Sequence, residues 1–286
     1  MSRRPHVSVC GGRARCTTCR VRVEKNVDSL PRPNELEAAA LRRIGAPEGV
    51  RLACQLRPTS DLVVRPLLHP TLATPSRVRS TRGREFGEER RVTILFVDLR
   101  GSTGLAEARL PYDVVFLLNH YLAEMTDAVE RAGGHYSNFT GDGLMALFGL
   151  ENPPDSGATG ALRCAGEMLE KVERLNEELA AELPDPLTIG IGIHTGEAIV
   201  GRMGPPKTPL LSALGDTVNT AARLESASKD LPGPVVVSCA TIDAAGLKSD
   251  LPLIPLTLRG RSMEIEVVAL DLTGLRQLLA RQTSLP

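Results

Sequence analysis

Residues 135–148 read His-Tyr-Ser-Asn-Phe-Thr-Gly-Asp-Gly-Leu-Met-Ala-Leu-Phe. Two short runs, His135–Phe139 and Leu144–Phe148, flank Thr140-Gly141-Asp142-Gly143. Asp-Gly between such runs is a strong hairpin signal, because glycine supplies the backbone freedom of a tight turn between twisted strands. Upstream, Gly133-Gly134 stops a helix that Pro111 opens. Its apolar positions Val114, Leu117, Leu118, Tyr121, Leu122, Met125, Val129 and Ala132 keep a 3.6-residue period. Before it, residues 92–97 (VTILFV) form a continuous apolar run, as a strand covered on both faces requires. Downstream, the pattern predicts a helix over about 158–182 and a second hairpin pairing residues 187–194 with 197–200 around Thr195-Gly196. A third helix runs from Asp216 to about Ser228, followed by strands near 234–238 and 264–270.

The order β-α-β-β-α-β is a split βαβ unit, so the expected fold class is α+β with ferredoxin-like topology over residues 91–272. Residues 1–68 differ in composition. They hold four of the six cysteines and short β-type runs at 21–23 and 62–64. Residues 69–90, rich in Pro, Ser, Thr, Arg and Gly, read as a linker, and 273–286 as a C-terminal tail. Lysines and arginines number 34, as do aspartates and glutamates, so no charge excess calls for a nucleic-acid polymer or an acidic membrane. With no tryptophan, base stacking is also a poor reading. No apolar run approaches the roughly 18 residues of a membrane span, and Met-Ser-Arg-Arg-Pro-His leads into no apolar signal core. The clustered cysteines suit a reducing cytoplasm better than a secreted disulfide framework.

Two acidic residues fall at strand ends: Asp98 closes the first buried strand and Asp142 tips the central hairpin. Either alone reads as a solvated strand end or an ordinary turn. If the two strands are neighbours, the carboxylates converge on one sheet edge and suit hard divalent cations carrying phosphate oxygens. The segment after Asp98, Leu-Arg-Gly-Ser-Thr-Gly, offers backbone N–H groups to a polyphosphate. The spacing does not decide between these readings.

The runs at 92–105 (VTILFVDLRGSTGL), 138–149 (NFTGDGLMALFG), 189–204 (IGIGIHTGEAIVGRMG) and 214–226 (LGDTVNTAARLES) resemble, in order and spacing, the four motifs of class III adenylate and guanylate cyclase catalytic domains. The resemblance implies that Asp98 and Asp142, helped by the Leu99 carbonyl, hold two Mg²⁺ or Mn²⁺ ions. It implies that Asn219 orients the ribose and that Arg223, one turn on, stabilises charge at the α-phosphate. Arg259 stands where the family usually has a phosphate-binding lysine, and Lys207 where some members have an arginine reaching the triphosphate. The purine-reading positions hold Asn138 and Ser212, which match neither the adenine nor the guanine set. ATP is the expected substrate and GTP the alternative. His194 is the nearest side chain to a general base and reads as structural. The family's sites are shared between subunits, which implies a head-to-tail homodimer.

The remaining motif is C-x5-C-x2-C-x34-C, with Cys10, Cys16, Cys19 and Cys54. Gly11, Gly12, Ala14, Thr17 and Thr18 leave room for backbone to approach inorganic sulfide, and four thiolates at this spacing fit a 2Fe–2S cluster. A structural zinc site is the other reading. Residues 8–68 resemble the later two thirds of an adrenodoxin- or bacterial-type 2Fe–2S ferredoxin, a partial β-grasp domain without its first hairpin and helix. The resemblance implies a redox partner and redox control of the cyclase. In similar bacterial proteins a membrane-embedded region can precede the ferredoxin, so attachment through a longer parent is the alternative to a simple cytoplasmic location. Cys164 and Cys239 have apolar neighbours and read as buried structural thiols. A catalytically silent nucleotide-binding homologue and a simple electron-transfer protein are the readings from other classes. Retention of Asp98, Asp142, Asn219 and Arg223 weighs against the first, and the length outside residues 1–68 against the second.

Overall fold

The computed structural model describes residues 8, 10–68, 87–102, 104, 110–151, 156–180, 183, 185–205, 207–247, 252–258 and 264–280. The chain forms two compact units, Met1–Glu88 with Pro205–Thr208, and Glu89–Gly204 with Pro209–Pro286. Most of the linker at 69–90 lies outside the described residues.

In the first unit, β1 (Arg20–Lys25) pairs antiparallel with β2 (Val50–Leu52) on one side and β3 (Val63–Pro66) on the other. Val21 and Val23 are buried while their arginine neighbours are not, the period-2 pattern of a half-covered sheet. Helix α1 (Glu35–Arg43) starts at Asn34, whose side chain accepts the Glu37 N–H at 2.9 Å. Leu41 packs with Ala14, Cys19, Val50 and Leu52 in a small core. Glu37 is fully buried, yet Arg51 donates to both its oxygens, at 2.8 and 2.9 Å, and the Leu52 N–H donates at 2.8 Å. A buried carboxylate satisfied this way is tolerated.

The second unit contains the expected order: β4 (Glu88–Arg100), α2 (Pro111–Arg131), β5 (His135–Phe139), β6 (Leu144–Phe148), α3 (Ser156–Glu178) and β7 (Thr188–Met203). It continues through β8 (Leu210–Leu214), α4 (Asp216–Ala227), β9 (Val235–Ser238), α5 (Cys239–Ala244), β10 (Ile254–Thr257), β11 (Glu264–Leu270) and α6 (Leu272–Ala280). The sheet order is β10-β11-β9-β7-β4-β6-β5, with β8 paired to β7. The run at 92–97 is covered on both faces as its composition requires. Leu95 and Val97 join a core with Leu117, Tyr121 and Met125, whereas Val92 and Ile94 join another with Met145, Leu147 and Ala221.

Two expectations need correcting. The hairpin placed at Thr195-Gly196 does not exist: β7 runs unbroken for 16 residues, and its hairpin partner is β8, with Val200 opposite Ala213 and Gly201 opposite Ser212. Gly196 serves close approach instead of a turn, since a Cβ there would lie 2.7 Å from Thr217 Oγ1. The stretch from 273, read as a tail, includes most of α6, whose Leu275 and Leu278 complete the main core.

Gly196 belongs to a row. Along β7, Ile189, Ile191 and Ile193 face the main core, while Gly190, Gly192 and Gly196 present bare backbone to α4. A Cβ on Gly192 would overlap the backbone N of Glu225 and the carbonyl oxygen of Ala221. Neither can swing aside as a side chain could. Gly192→Ala is therefore expected to cost about 3 kcal/mol, the upper range for overpacking, or roughly 6–12 °C in melting temperature. Thermal denaturation checks this. A variant that melts with the wild type would mean that α4 does not rest on the strand's backbone.

Candidate active site

The site begins where β4 and β6 lie side by side. Val97 pairs with Leu144, so the next residue, Asp98, comes level with Gly143, beside Asp142. The turn is closed by the Thr140 N–H donating to the Gly143 carbonyl at 2.9 Å, with Gly141 at φ 82°. A Cβ on Gly143 would sit 2.7 Å from Asp98 Oδ1 and 2.5 Å from Thr140 Oγ1. The absence of a side chain there is what lets the Asp98 carboxylate lie over the turn. Asp98 and Asp142 are both half-buried at this edge. Burial, and then the Asp142 charge, raise the Asp98 carboxyl above its ordinary range, while Lys229 and the Leu99 N–H work in the opposite direction. A cation between the carboxylates would relieve that repulsion. Among the described residues, no three or more His, Cys, Asp or Glu gather to hold an ion, so the carboxylates are a pair. A pair suits a hard divalent ion that draws its other ligands from phosphate and water.

Three groups around Asp98 were not singled out from the sequence. Tyr121 is fully buried on α2, its hydroxyl without a partner among the described residues. Burial and the charges of Asp98, Asp142 and Glu225 push its phenol far above the ordinary range. Glu225 is buried on α4, and burial followed by the Asp98 charge raises its carboxyl. Arg100 donates to the Ser228 carbonyl at 2.6 Å and to its hydroxyl at 2.9 Å, tying the end of β4 to the end of α4. A signal for Glu225 existed. Thr217, Thr220, Ala221, Leu224 and Glu225 recur at helical spacing on the buried face of α4.

Asn219 and Arg223 occupy successive turns of the same helix, Asn219 exposed and Arg223 half-buried. No hydrogen bond or ion pair joins either one to Asp98 or Asp142. Asn138 is exposed on β5 and Ser212 half-buried on β8. Lys207 is exposed in the Pro205–Thr208 segment that groups with the first unit. Arg259 lies outside the described residues, as do Thr103 and residues 105–109 of the segment following Asp98. The His194 Nδ1 is 2.8 Å from Ser238 Oγ, at one end of a buried hydroxyl chain through Thr241, Thr195 and Thr93. That is a structural setting.

Residues 85–255 match the family model described as the adenylate and guanylate cyclase catalytic domain. The chain belongs to this family. An uncharacterized protein of Mycobacterium tuberculosis is 35% identical over 188 residues, 65% of this chain and 32% of that protein. An adenylate cyclase of Anabaena cylindrica is 38% identical over 146 residues, 49% of this chain and 28% of that protein. The crystal structure of the guanylyl cyclase Cya2 superposes with a TM-score of 0.58 at 33% identity, covering 63% of this chain and 91% of that one. The chain thus spans about a third of the length of the curated relatives it matches.

Outside the cyclase domain, the cysteine segment has its own geometry. Gly11 (φ 65°), Gly12 (φ 88°) and Ala14 (φ 54°) are all left-handed, a conformation costly for alanine. Although burial pushes the Cys10 thiol up, hydrogen bonds from Cys16 and from the backbone of Arg15, Arg13 and Gly12 bring it below its ordinary value. The Cys19 and Cys54 sulfurs are 3.4 Å apart, and burial pushes the Cys19 thiol up to about 11. Cys10 pairs with Cys16 and Cys19 with Cys54, and the Cys16 charge also raises the Cys19 thiol, so the four thiols stand as two close pairs that adjoin. Cys164 is buried and its thiol is pushed far up, mainly by burial, whereas Cys239 is only half-buried. No described helix is long and apolar enough to cross a membrane.

Proposed function

We propose that the chain is a purine nucleotidyl cyclase converting ATP to 3′,5′-cyclic AMP and pyrophosphate. The observation that carries this is the Asp98–Asp142 pair held over Gly143 in a domain of the cyclase family. The 3′-hydroxyl oxygen attacks the α-phosphorus in line and gives its proton to solvent, the new O–P bond closes the ring, and the bond to the β-phosphate oxygen breaks, releasing pyrophosphate. Divalent ions, when bound at the pair, would supply Lewis acidity to the 3′-hydroxyl and to the phosphate oxygens. Asp98 and Asp142, with the Leu99 carbonyl, would hold the ions. Asn219 orients the ribose, and Arg223 faces charge on the α-phosphate from one helix turn away. Lys207 and Arg259 reach phosphate oxygens. Asn138 and Ser212 read the purine, and an amide with both donor and acceptor leaves GTP as the alternative substrate.

Asn219 and Arg223 would act on a partner's carboxylate pair. Two groups of exposed apolar residues support a head-to-tail homodimer: Leu110, Tyr112, Val115 and Phe116 at the start of α2, and Tyr136, Phe139 and Leu210 on β5 and β8. A twofold axis can lay each patch on the other copy's complement. Purified protein with Mn²⁺ is expected to form cyclic AMP and pyrophosphate, and to use ATP ahead of GTP in competition. Cyclic product from neither nucleotide would overturn the reading.

We infer that residues 1–68 are a ferredoxin-like module in which Cys10, Cys16, Cys19 and Cys54 hold a 2Fe–2S cluster, linked through 69–90 to the cyclase. Support comes from the two thiol pairs, which match the two thiolates each iron requires, and from the left-handed loop whose amides bond the Cys10 sulfur. Bound, the cluster supplies one-electron chemistry, exchanged with a redox partner. Reconstituted protein is expected to carry two irons and visible absorbance, both lost in Cys54→Ser, and to cyclise at different rates when oxidised and dithionite-reduced. Zinc in place of iron after anaerobic reconstitution would overturn the cluster. Equal rates in both states would remove its regulatory role.

A further inference from the structure

β5 is not a regular strand. Its pairing with β6 runs His135–Leu147, Tyr136–Ala146, Asn138–Met145 and Phe139–Leu144. Ser137 has no cross-strand partner and is the extra residue of a β-bulge. Opposed residues on antiparallel strands point to the same face, so the bulge decides where Asn138 points. Leu144, Ala146 and Phe148 face the main core beneath α2 and α3. Met145 and Leu147 face the other side, with Ala213, Leu211, Ala221 and Val218 of β8 and α4. Strict alternation from Tyr136 would turn Asn138 toward α2 and α3. The inserted Ser137 moves it opposite Met145, onto the face that carries β8 and Ser212.

The same residue fixes the distance. Ser137 is buried, and its hydroxyl donates to the Leu211 carbonyl at 2.8 Å. The donor immediately precedes Asn138, and the acceptor immediately precedes Ser212. This hydrogen bond spans two strands that do not pair in the sheet. The Asn138 amide itself has no hydrogen-bond partner among the described residues, so its aim depends on its backbone. Bulges re-aim side chains in this way next to sites. Beside the bulge, Asn138 lines a hollow of about 470 Å³ with Glu130, Arg202 and Leu211.

We propose that Ser137 is a positioning residue for purine selection: its bulge turns Asn138 to the β8 face, and its hydroxyl sets the spacing between Asn138 and Ser212. This rests on the reading of Asn138 and Ser212 as the purine-contacting pair. Selection then depends on three residues, of which Ser137 touches no nucleotide.

The test compares Ser137→Ala, Ser137→Thr and Asn138→Lys with the unaltered chain. KM and kcat for ATP and for GTP are measured with Mn²⁺, and each protein is melted. Ser137→Ala is expected to raise KM for the better purine about three- to tenfold, the weight of one lost hydrogen bond, with kcat little changed and the ATP-to-GTP ratio moved toward one. Ser137→Thr keeps the hydroxyl and is expected to keep the ratio. Asn138→Lys is expected to favour ATP, since a fixed cationic donor suits the adenine N1 acceptor. If Asn138→Lys shifts the ratio and Ser137→Ala does not, the positioning role is wrong while the purine reading stands. If Ser137→Ala lowers kcat and melting temperature alike for both nucleotides without changing their ratio, the residue is merely structural and the proposal fails. If no variant moves the ratio, β5 does not read the base and both readings fall.

Discussion

Asp98→Ala and Asp142→Ala are each expected to lower cyclase turnover by about a thousandfold or more, without loss of fold. The magnitude follows from the several kcal/mol of charge stabilisation that bound metal supplies to phosphate chemistry, at one decade per 1.36 kcal/mol. Survival of the fold follows from electrostatics. Burial and Asp142 raise the Asp98 carboxyl. A carboxyl raised in the folded state contributes stability below its unfolded pKa and loses it as pH rises through the folded pKa. At neutral pH without metal, the ionised Asp98 therefore works against folding, and Asp98→Asn is expected to melt no lower than the wild type. Turnover with Mn²⁺ and melting without metal are the two measurements. Near-normal turnover in either alanine variant would remove the metal assignment.

Mixing two dead proteins is expected to restore activity. On the proposed sharing of sites, Asp98→Ala would lack the metal half of each site and Arg223→Ala the phosphate half. Equal mixing with free exchange makes half the dimers hybrid, each with one of its two sites intact, so recovery approaches about a quarter of wild-type turnover. Each protein alone stays inactive. No recovery after exchange has been verified by mass or fluorescence would exclude sites shared between subunits.

The legible parts of the fold were those written locally. Thr140-Gly141-Asp142-Gly143 declares its turn within four residues, and the helix from Pro111 declares itself by period. The carboxylate pair could be named because Asp98 closes the apolar run of β4 and Asp142 tips the hairpin turn, but its convergence depended on β4 lying beside β6, which no local pattern specifies. Thr195-Gly196 looked like a turn because glycine has two uses, and only tertiary structure reveals that here it admits Thr217. Leu210–Leu214 is a short strand whose partner lies earlier in a long one, so β8 went unread. Glu225 escaped notice because a charge on a buried helix face contradicts the usual inference from polarity. The cysteine spacing was plain, whereas the division into two close pairs is a matter of loop conformation around Gly11, Gly12 and Ala14.

At Gly190, Gly192 and Gly196 no strand side chain stands between β7 and α4, and at Gly192 the two meet backbone to backbone, while Ala198 and Val200 of β7 pack with Ala221 and Val218. Its height above the sheet at Gly192 is therefore set by backbone contact, and no rotamer change at the three glycines can raise or tilt it there. Asn219 and Arg223 ride on that helix as rigidly as if they grew from the sheet. A signal arriving from elsewhere in the protein has little purchase on their local arrangement. In the proposed homodimer it would act by rotating one whole protomer against the other, so that two finished half-sites come into or out of register.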